Sequence, residues 1–311
     1  MTKNLKTVSI LALLCLAPVA GQAYDQEVYR SAAIGTRWLS IPASARVASL
    51  AGAYTARGGE PGALESNPAA LAGTHNLQAI FTHNSWIQGM QVERLVGAWE
   101  VENLGSFAVG VDYLSLGEVE RIEISSSGVP VSTGSLHPNA MAFAGSWGKI
   151  YGTLALGATL RGISENQISG SDTGFEADLG AHRTIGKNWR VGAALKNLTV
   201  DFSGALRPID LRAGGGYTFH GKHPLALDLN LDYQPQDREP PDWRVGAEWA
   251  ATKQVILRGG YVLAGNDRAP GGPTVGLGWL NGFLELDYAL YGAGELGFSH
   301  LVTLRILSLG E

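Results

Sequence analysis

The chain has 311 residues, a formal net charge of −5 and one cysteine. An acidic balance without a basic tract excludes a nucleic-acid binder, and a single cysteine excludes a disulfide framework and a cysteine-based metal site. Charged residues make up 16% of the chain and 42 residues are glycine, whereas ordinary soluble domains carry roughly 25% charged residues. This composition favours a β-rich exported or membrane protein.

The first 23 residues have the pattern of a secretory signal peptide. Lys3 and Lys6 precede an apolar run over 8–16, and the small residues Gly21 and Ala23 predict cleavage after Ala23. The apolar run is too short for a transmembrane helix, and no later run approaches the ~20 residues that such a helix needs. We therefore expect an exported chain that is either a secreted β protein or a membrane barrel.

From about residue 76 onward, apolar and polar residues alternate with a period of two. Segment 225–233 has leucine or tyrosine at every odd position and Asp or Asn at 228, 230 and 232, a pattern typical of strands with one apolar face. Tilted strands need about 9–11 residues to cross a bilayer. Fourteen segments of suitable length are 76–85, 90–101, 104–116, 138–148, 150–163, 173–185, 188–200, 208–219, 224–234, 242–250, 253–263, 273–281, 283–291 and 297–308.

The connections and aromatic residues favour a membrane barrel over a secreted sandwich or propeller. Very short turns, such as those predicted at 148–149 and 186–187, alternate with longer loops, of which 117–137 is the longest. Short periplasmic turns with longer outer loops, and two aromatic girdles, are typical of outer-membrane barrels. The girdle residues are Trp147, Trp189, Phe219, Trp249 and Trp279 near short turns, and Phe175, Tyr233, Trp243 and Tyr261 near long loops.

The charged residues are predicted to line the lumen. An arginine facing lipid at mid-membrane is unfavourable by roughly 2–4 kcal/mol, and the alternation allows seven strand arginines to face inward, where acids such as Asp178 and Asp228 lie. A solvated, mutually neutralising interior is the simpler interpretation, and a specific ligand site is the alternative. The arginines concerned are Arg161, Arg183, Arg190, Arg212, Arg244, Arg258 and Arg305.

Residues 24–75 do not alternate, and they are too apolar for a flexible tail. Small residues over 44–53 lead to a glycine-rich stretch at 58–62 and to Asn67-Pro68-Ala69. A wide barrel has room for such a segment. We predict an all-β fold: a transmembrane antiparallel β-barrel of about fourteen strands over 76–311, with an N-terminal plug or hatch over 24–75.

Several of these motifs resemble the PorV/PorQ family of outer-membrane proteins. The resemblance rests on Ser44-Ala45-Arg46, on Asn67-Pro68-Ala69, and on His83 and Trp86 in the first hairpin, and it extends to Gly297–His300 near the end. It differs at residues 57–60, where acidic residues are usual, and at the last residue, which is not aromatic. The chain is similar to the family along the whole exported part.

The resemblance implies a FadL-like fourteen-stranded barrel whose hatch carries the Asn-Pro-Ala turn. In Bacteroidetes, family members serve type IX protein secretion as shuttle or attachment components, and the fold is shared with transporters of hydrophobic compounds. The resemblance thus implies either secreted proteins and secretion-complex subunits, or a small apolar ligand, as partners besides outer-membrane lipid.

No linear motif indicates catalysis or a cofactor. Residues 144–148 miss the first position of the G-x-S-x-G elbow and lie in a predicted strand. His220 and His223 flank a short turn, where two exposed histidines are more often plain turn residues than metal ligands. We predict no enzyme activity, no cofactor and no metal.

Two functions remain open at this point. Val119, Ile122, Ile124, Val129 and Val131 in loop 117–137 suit a protein partner in secretion or surface attachment. Passage of small hydrophobic compounds needs a lining that the mostly charged and small inward residues do not obviously supply. The sequence slightly favours the protein partner, with hydrophobic uptake as the alternative.

Overall fold

The computed structural model describes residues 36–86, 89–124, 126, 128–167, 170–202, 207–237, 240–263, 272–292 and 297–307. The predicted signal peptide and the first part of the predicted hatch, 24–35, lie outside these residues. None of the helices among them is both long enough and apolar enough to cross a membrane.

Fourteen strands form a closed antiparallel barrel, as the alternation predicts. Each strand pairs with the next in the barrel, and pairing of the first strand with the last closes the sheet. The strands are β1 Gln78–Ser85, β2 Gln91–Val101, β3 Gly105–Ser115, β6 Asn139–Tyr151, β7 Leu154–Gln167, β8 Gly170–Ile185, β9 Trp189–Phe202, β10 Asp210–Phe219, β11 Leu225–Tyr233, β12 Asp242–Ala250, β13 Val255–Leu263, β14 Gly272–Asn281, β15 Leu284–Gly292 and β16 Phe298–Leu307.

The longest loop forms a hairpin of its own. Strands β4, Val119–Ile124, and β5, Pro130–Leu136, pair only with each other, as a separate two-stranded sheet between β3 and β6. The side chains of Ile122 and Ile124 are 59% and 70% exposed. The predicted loop is thus an ordered hairpin outside the barrel wall.

The turn between β6 and β7 lies four residues beyond the predicted 148–149. Pairing continues from Gly148↔Gly157 to Tyr151↔Leu154, and Gly152 adopts a φ of 65° in the turn. Gly148 faces inward instead, and a Cβ there would lie 2.8 Å from the backbone nitrogen of Ala72. The glycine that suggested a turn therefore provides space for a neighbouring backbone.

The two faces of the sheet have the predicted character. On β11 the outward Leu229 is 46% exposed, whereas the inward Asp228, Asn230 and Asp232 are 6%, 1% and 7% exposed. Outward aromatic rings cluster near the short turns: the Tyr217 ring makes edge contacts with Trp189 and Phe219. An apolar outer wall with a polar interior is the arrangement that a bilayer requires.

Arg183 is an exception to the predicted inward arginines. It pairs with Leu154 and Val191 in an outward row, whereas its neighbour His182 faces inward. Arg183 lies three residues before Gly186, in a short turn. Close to this turn, the long Arg183 side chain can reach the headgroup region. An outward position therefore does not leave its charge in hydrocarbon.

Residues 36–75 fold inside the barrel. The segment contains one helix, α1 Ala45–Ser49, and three 3-10 turns, Thr36–Ser40, Pro61–Ala63 and Pro68–Leu71. Ser44 caps α1 by accepting a hydrogen bond from Val47 N, and the backbone N of Ala45 donates to Thr303 Oγ1 of β16 at 2.8 Å. Helix α1 packs against β13–β16, and the Pro68–Leu71 turn packs against β6–β8.

Candidate functional site

Inward-facing glycines of the wall leave room for the internal segment to pack closely against it. A Cβ at Gly246 would lie 2.9 Å from Leu50 O, and one at Gly260 would lie 2.7 Å from the Leu50 carbonyl carbon. A Cβ at Gly276 would overlap Ser49. Only glycine permits a backbone to approach a strand this closely. The same role is filled by Gly157, Gly180, Gly192 and Gly214, on β7–β10.

The Asn67-Pro68-Ala69 turn is fixed by one side chain. Asn67 Oδ1 accepts from Ala69 N at 2.9 Å, while its Nδ2 donates to Thr55 O at 2.6 Å and to Ala181 O of β8 at 3.1 Å. Pro68 begins the 3-10 turn, where its missing N–H needs no partner. Asn67 thereby joins two parts of the internal segment to the barrel wall.

A network of ion pairs joins the internal segment to β11 and β12. Arg46 Nε lies 2.9 Å from Glu248 and Arg57 Nη1 lies 2.7 Å from the same carboxylate. Arg57 Nη2 also reaches Asp228 at 2.5 Å, and Arg46 pairs with Glu60 at 3.3 Å. Because these groups are largely buried, the pairs depend strongly on their geometry, and removal of one partner leaves an uncompensated charge.

The network continues along β13, β15 and β16. Arg305 pairs with Glu60 at 2.8 Å and also contacts Glu285. Arg258, with a side chain that is 0% exposed, pairs with Glu248 at 2.7 Å and with Asp287 at 2.5 Å. The inward charges therefore pair with one another, as the simpler interpretation of the sequence expected, but the paired groups are buried and not solvated. Arg183, which was predicted to face inward, lies in the outward row instead.

A second cluster is centred on Arg161 of β7. Its Nη2 lies 2.5 Å from Glu65 of the internal segment, and its Nη1 lies 3.4 Å from Asp178 and 3.9 Å from Glu176. Lys196 Nζ lies 3.7 Å from Glu65. Burial opposes ionisation of Glu65, but the nearby Arg161 and Lys196 outweigh it and hold the pKa of Glu65 well below its usual 4.5.

Acid is expected to weaken this attachment. Because the pKa of Glu65 is lowered in the folded state, its contribution to stability is present above about pH 4.5 and is lost as the pH falls toward the folded-state pKa. The unfolding temperature of the wild type should therefore fall more steeply below pH 4.5 than that of Glu65→Gln, as followed by tryptophan fluorescence. Glu102→Gln, in an exposed turn, is the control with the wild-type slope, and parallel curves for all three proteins would contradict the assignment.

A cavity of about 280 Å³ lies at the long-loop end, between residues 40–52 and the ends of β9–β15. It has a mixed lining with an apolar side and a charged side. The apolar side includes Ile41, Pro42, Val47, Trp86 and Val262, and the charged side includes Arg207, Asp210, Arg212, Asp232 and Arg244. This volume is close to the lower limit of about 300 Å³ for small-molecule pockets.

The motif residues of the sequence analysis occupy four separate places. Ser44, Ala45 and Arg46 begin α1, and Asn67, Pro68 and Ala69 form the turn on β6–β8. Trp86 lines the cavity, but His83 faces outward on β1, where it contacts Glu93. The first-hairpin motif is thus divided between the two sides of the wall.

Sequence reasoning missed the acids that hold the internal segment. Glu60 and Glu65 lie in irregular stretches without a period, so nothing in the sequence paired them with Arg305 or Arg161. His220 lies in an exposed turn with Nε2 2.8 Å from Lys187 O. Among the described residues, no group of three or more His, Cys, Asp or Glu side chains is placed to hold a metal ion.

The solved structures to which this fold is similar include several hydrocarbon transporters. The P. putida toluene transporter TodX is 13% identical, with a TM-score of 0.57 over 85% of this chain and 96% of that one. The Ralstonia pickettii toluene transporter TbuX is 14% identical, with a TM-score of 0.55 over 85% and 96%. The CymD monoaromatic hydrocarbon channel is 13% identical, with a TM-score of 0.53 over 86% and 96%. Identities this low show a shared fold alone.

The closed fourteen-stranded sheet, the apolar outer wall and these matches define the class: the chain is an integral outer-membrane β-barrel that shares its fold with these channels. No protein-family model and no curated protein matches it. The resemblance to the PorV/PorQ family therefore stays a prediction.

Proposed function

We propose that the protein passes small, partly apolar compounds across the outer membrane, with residues 36–75 acting as a hatch in the lumen. The observation that carries this proposal is the cavity at the long-loop end, which is lined jointly by the internal segment and the wall. A compound that enters from outside meets Ile41, Val47 and Trp86 on one side and charged groups on the other. The solved structures of the same fold are channels, which supports transport over the protein-binding role that the sequence slightly favoured.

The size and chemistry of the cavity limit the substrate. A volume of about 280 Å³ suits a small molecule such as a single-ring compound better than a long acyl chain. The charged side of the cavity favours a compound that carries a polar group beside its apolar body. Since the hatch lies against strands on every side of the barrel, passage requires it to shift against the wall.

Filling the cavity should stop uptake. Ser40 is exposed and lines the cavity, so Ser40→Trp should occupy the space without disturbing buried packing. We expect uptake of a radiolabelled monoaromatic alcohol by porin-deficient cells to fall at least tenfold. The matched control is Leu229→Trp, which adds the same side chain to the outward face of β11 and should leave uptake unchanged. Equal uptake in all three strains would contradict passage through this cavity.

The exposed hairpin supports a second candidate function, a protein-binding or shuttle role in secretion or surface attachment. Strands β4 and β5 pair only with each other, and the side chains of Ile122, Ile124, Val129 and Val131 are 48–70% exposed. Deleting residues 119–136 should therefore leave the barrel folded, as judged by its heat-dependent migration on a gel. If the hairpin binds partners, proteins that co-purify with the wild type should be lost while solute uptake persists; the same proteins co-purifying after the deletion would contradict this role.

A further inference from the structure

The polar side chains of His83, Ser85 and Glu93 form a cluster on the outer face of the barrel, away from the ion pairs of the lumen. His83 and Ser85 are two residues apart on β1, so they share a face, and their neighbours Thr82 and Asn84 are 2% and 1% exposed on the inward face. Glu93 of β2 lies directly opposite His83 in the register. Directly paired residues on adjacent strands have Cβ atoms about 4.5–5.5 Å apart, so the three side chains meet on the outside.

The three side chains form a continuous relay of hydrogen bonds. Ser85 Oγ lies 3.0 Å from His83 Nε2, and His83 Nδ1 lies 2.6 Å from Glu93 Oε1. The side chains of His83 and Glu93 are 37% and 35% exposed, so a molecule outside the barrel can reach them. A serine hydroxyl on one imidazole nitrogen and a carboxylate on the other is the arrangement of a nucleophile, its general base and the group that orients the base.

The surroundings place this cluster at the boundary of the membrane. Apolar side chains face outward around it, with Phe81 46%, Leu95 55% and Val302 40% exposed. Ser85 is the last residue of β1 at the end of the barrel that carries the long loops. Toward the loops its outward neighbours Gln91, Ser115 and His300 are polar, so the relay lies where the apolar wall gives way to polar side chains. The ester bonds of lipids lie at the corresponding boundary in a bilayer, between the polar headgroup and the apolar acyl chain.

We propose that Ser85, His83 and Glu93 form a catalytic triad on the outer wall that hydrolyses carboxylic esters of membrane lipids, with water as the second substrate. Ser85 Oγ attacks the acyl carbonyl carbon while His83 Nε2 takes the hydroxyl proton. The ester bond breaks, and His83 gives that proton to the leaving alcohol oxygen, which leaves the acyl group on Ser85. Water then attacks the acyl carbon, loses a proton to His83 and releases the carboxylic acid as the proton returns to Ser85 Oγ.

The neighbouring strands supply donors for the carbonyl oxygen. Gln91 of β2 and His300 of β16 pair with Ser85 from either side, so their side chains flank it on the outer face. His300 Nδ1 lies 2.8 Å from Tyr288 Oη. When the tyrosine donates, His300 carries its proton on Nε2, where it can donate to the oxyanion.

This activity is independent of solute passage, and it departs from the prediction that the chain is not an enzyme. That prediction rested on the lack of a linear catalytic motif. The triad has no such motif, because Glu93 reaches His83 only through the pairing of β1 with β2. The two functions can be separated by experiment, because Ser85→Ala should stop hydrolysis and leave uptake intact, and Ser40→Trp should do the reverse.

The test combines covalent labelling with turnover. Purified, folded protein in detergent micelles is treated with an alkyl fluorophosphonate, and fatty acid release is measured from mixed micelles of phosphatidylethanolamine and phosphatidylglycerol. Wild type should be labelled on Ser85 and should release fatty acid, whereas Ser85→Ala and His83→Gln should lose both, with rates at least 10³-fold lower. Ser115→Ala is the matched control, because Ser115 also faces outward and pairs with Gln91. It should keep full labelling and turnover.

Glu93 acts as a positioning residue, and its variant separates catalysis from a structural role. Glu93→Gln should lower kcat by roughly 10²–10⁴-fold with KM nearly unchanged, while the heat-dependent gel migration stays that of the wild type. An unlabelled wild type, labelling that persists in Ser85→Ala, or equal fatty acid release by all variants would each overturn the proposal.

Discussion

Arg161→Met is expected to destabilise the folded barrel by roughly 3–5 kcal/mol. The Arg161 side chain is 1% exposed and is the cation shared by Glu65, Asp178 and Glu176. Methionine fills most of the volume but leaves three buried carboxylates with less compensation. Urea unfolding in detergent, followed by tryptophan fluorescence and by the loss of the heat-dependent gel shift, measures the change.

Arg183→Met is the matched control. Arg183 lies on the neighbouring strand β8 in the outward row, near a short turn, and pairs with Leu154 and Val191. Surface substitutions of this kind change stability by about 0.5 kcal/mol or less. Similar losses for both variants would show that Arg161 does not hold the internal segment to the wall.

Gly180→Ala is expected to displace the Asn67-Pro68-Ala69 turn. A Cβ at Gly180 would overlap Asn67 Oδ1 and would lie 3.0 Å from Pro68 Cδ, so the turn must move away from β8. Asn67 would then lose its bond to Ala181 O as well. Overpacking of this kind destabilises by roughly 1–3 kcal/mol, and limited proteolysis should cut residues 36–75 faster than in the wild type.

Gly145→Ala provides the comparison for this variant. Gly145 lies on the outward face of β6, and nothing lies within 4 Å of the position that a Cβ would occupy there. The same added methyl group should therefore change stability by about 0.5 kcal/mol or less. If Gly180→Ala were cut no faster than Gly145→Ala, the close packing of the turn on β8 would be wrong.

The barrel could be predicted because the alternation of apolar and polar residues can be read within each strand. A period of two along 225–233 assigns lipid-facing and lumen-facing residues directly, and the structure follows it, with Leu229 outward and Asp228 inward. The inward position of most arginines follows from the same alternation together with the unfavourable free energy of a charge in hydrocarbon. These features need no knowledge of which strands are neighbours.

The errors arose where distant segments meet. Gly148 suggested a turn because glycine is common there, yet it is inward and leaves room for Ala72. Arg183 was predicted to face inward because a charge facing hydrocarbon is unfavourable. Beside a short turn, however, a long outward side chain can place its charge in the headgroup region. The partners of Glu60 and Glu65 depend on how an irregular segment folds back, which no periodicity encodes.

The outer polar cluster was missed for a related reason. His83 and Trp86 were grouped as one motif by their closeness in sequence, but the alternation sends His83 outward while Trp86 lines the cavity. Glu93 joins His83 only through the register of β1 with β2. A search for outward polar residues at directly paired positions would have found it once the register was known.

Passage of solutes through the lumen by movement of residues 36–75 can be tested with a disulfide. A Cβ at Gly148 would lie 3.2 Å from Leu71 Cβ, slightly below the separation of about 3.5–4.5 Å that a disulfide requires. Because that Cβ would also lie 2.8 Å from Ala72 N, the single variant Gly148→Cys measures the effect of the added side chain without the disulfide. The only native cysteine, Cys15, lies in the predicted signal peptide. Uptake of the labelled monoaromatic alcohol is measured in porin-deficient cells that carry Leu71→Cys with Gly148→Cys, before and after reductant, beside each single variant. We expect uptake by the oxidised double variant to fall to the level of cells without the protein and to recover on reduction; undiminished uptake through the locked barrel would contradict movement of the hatch.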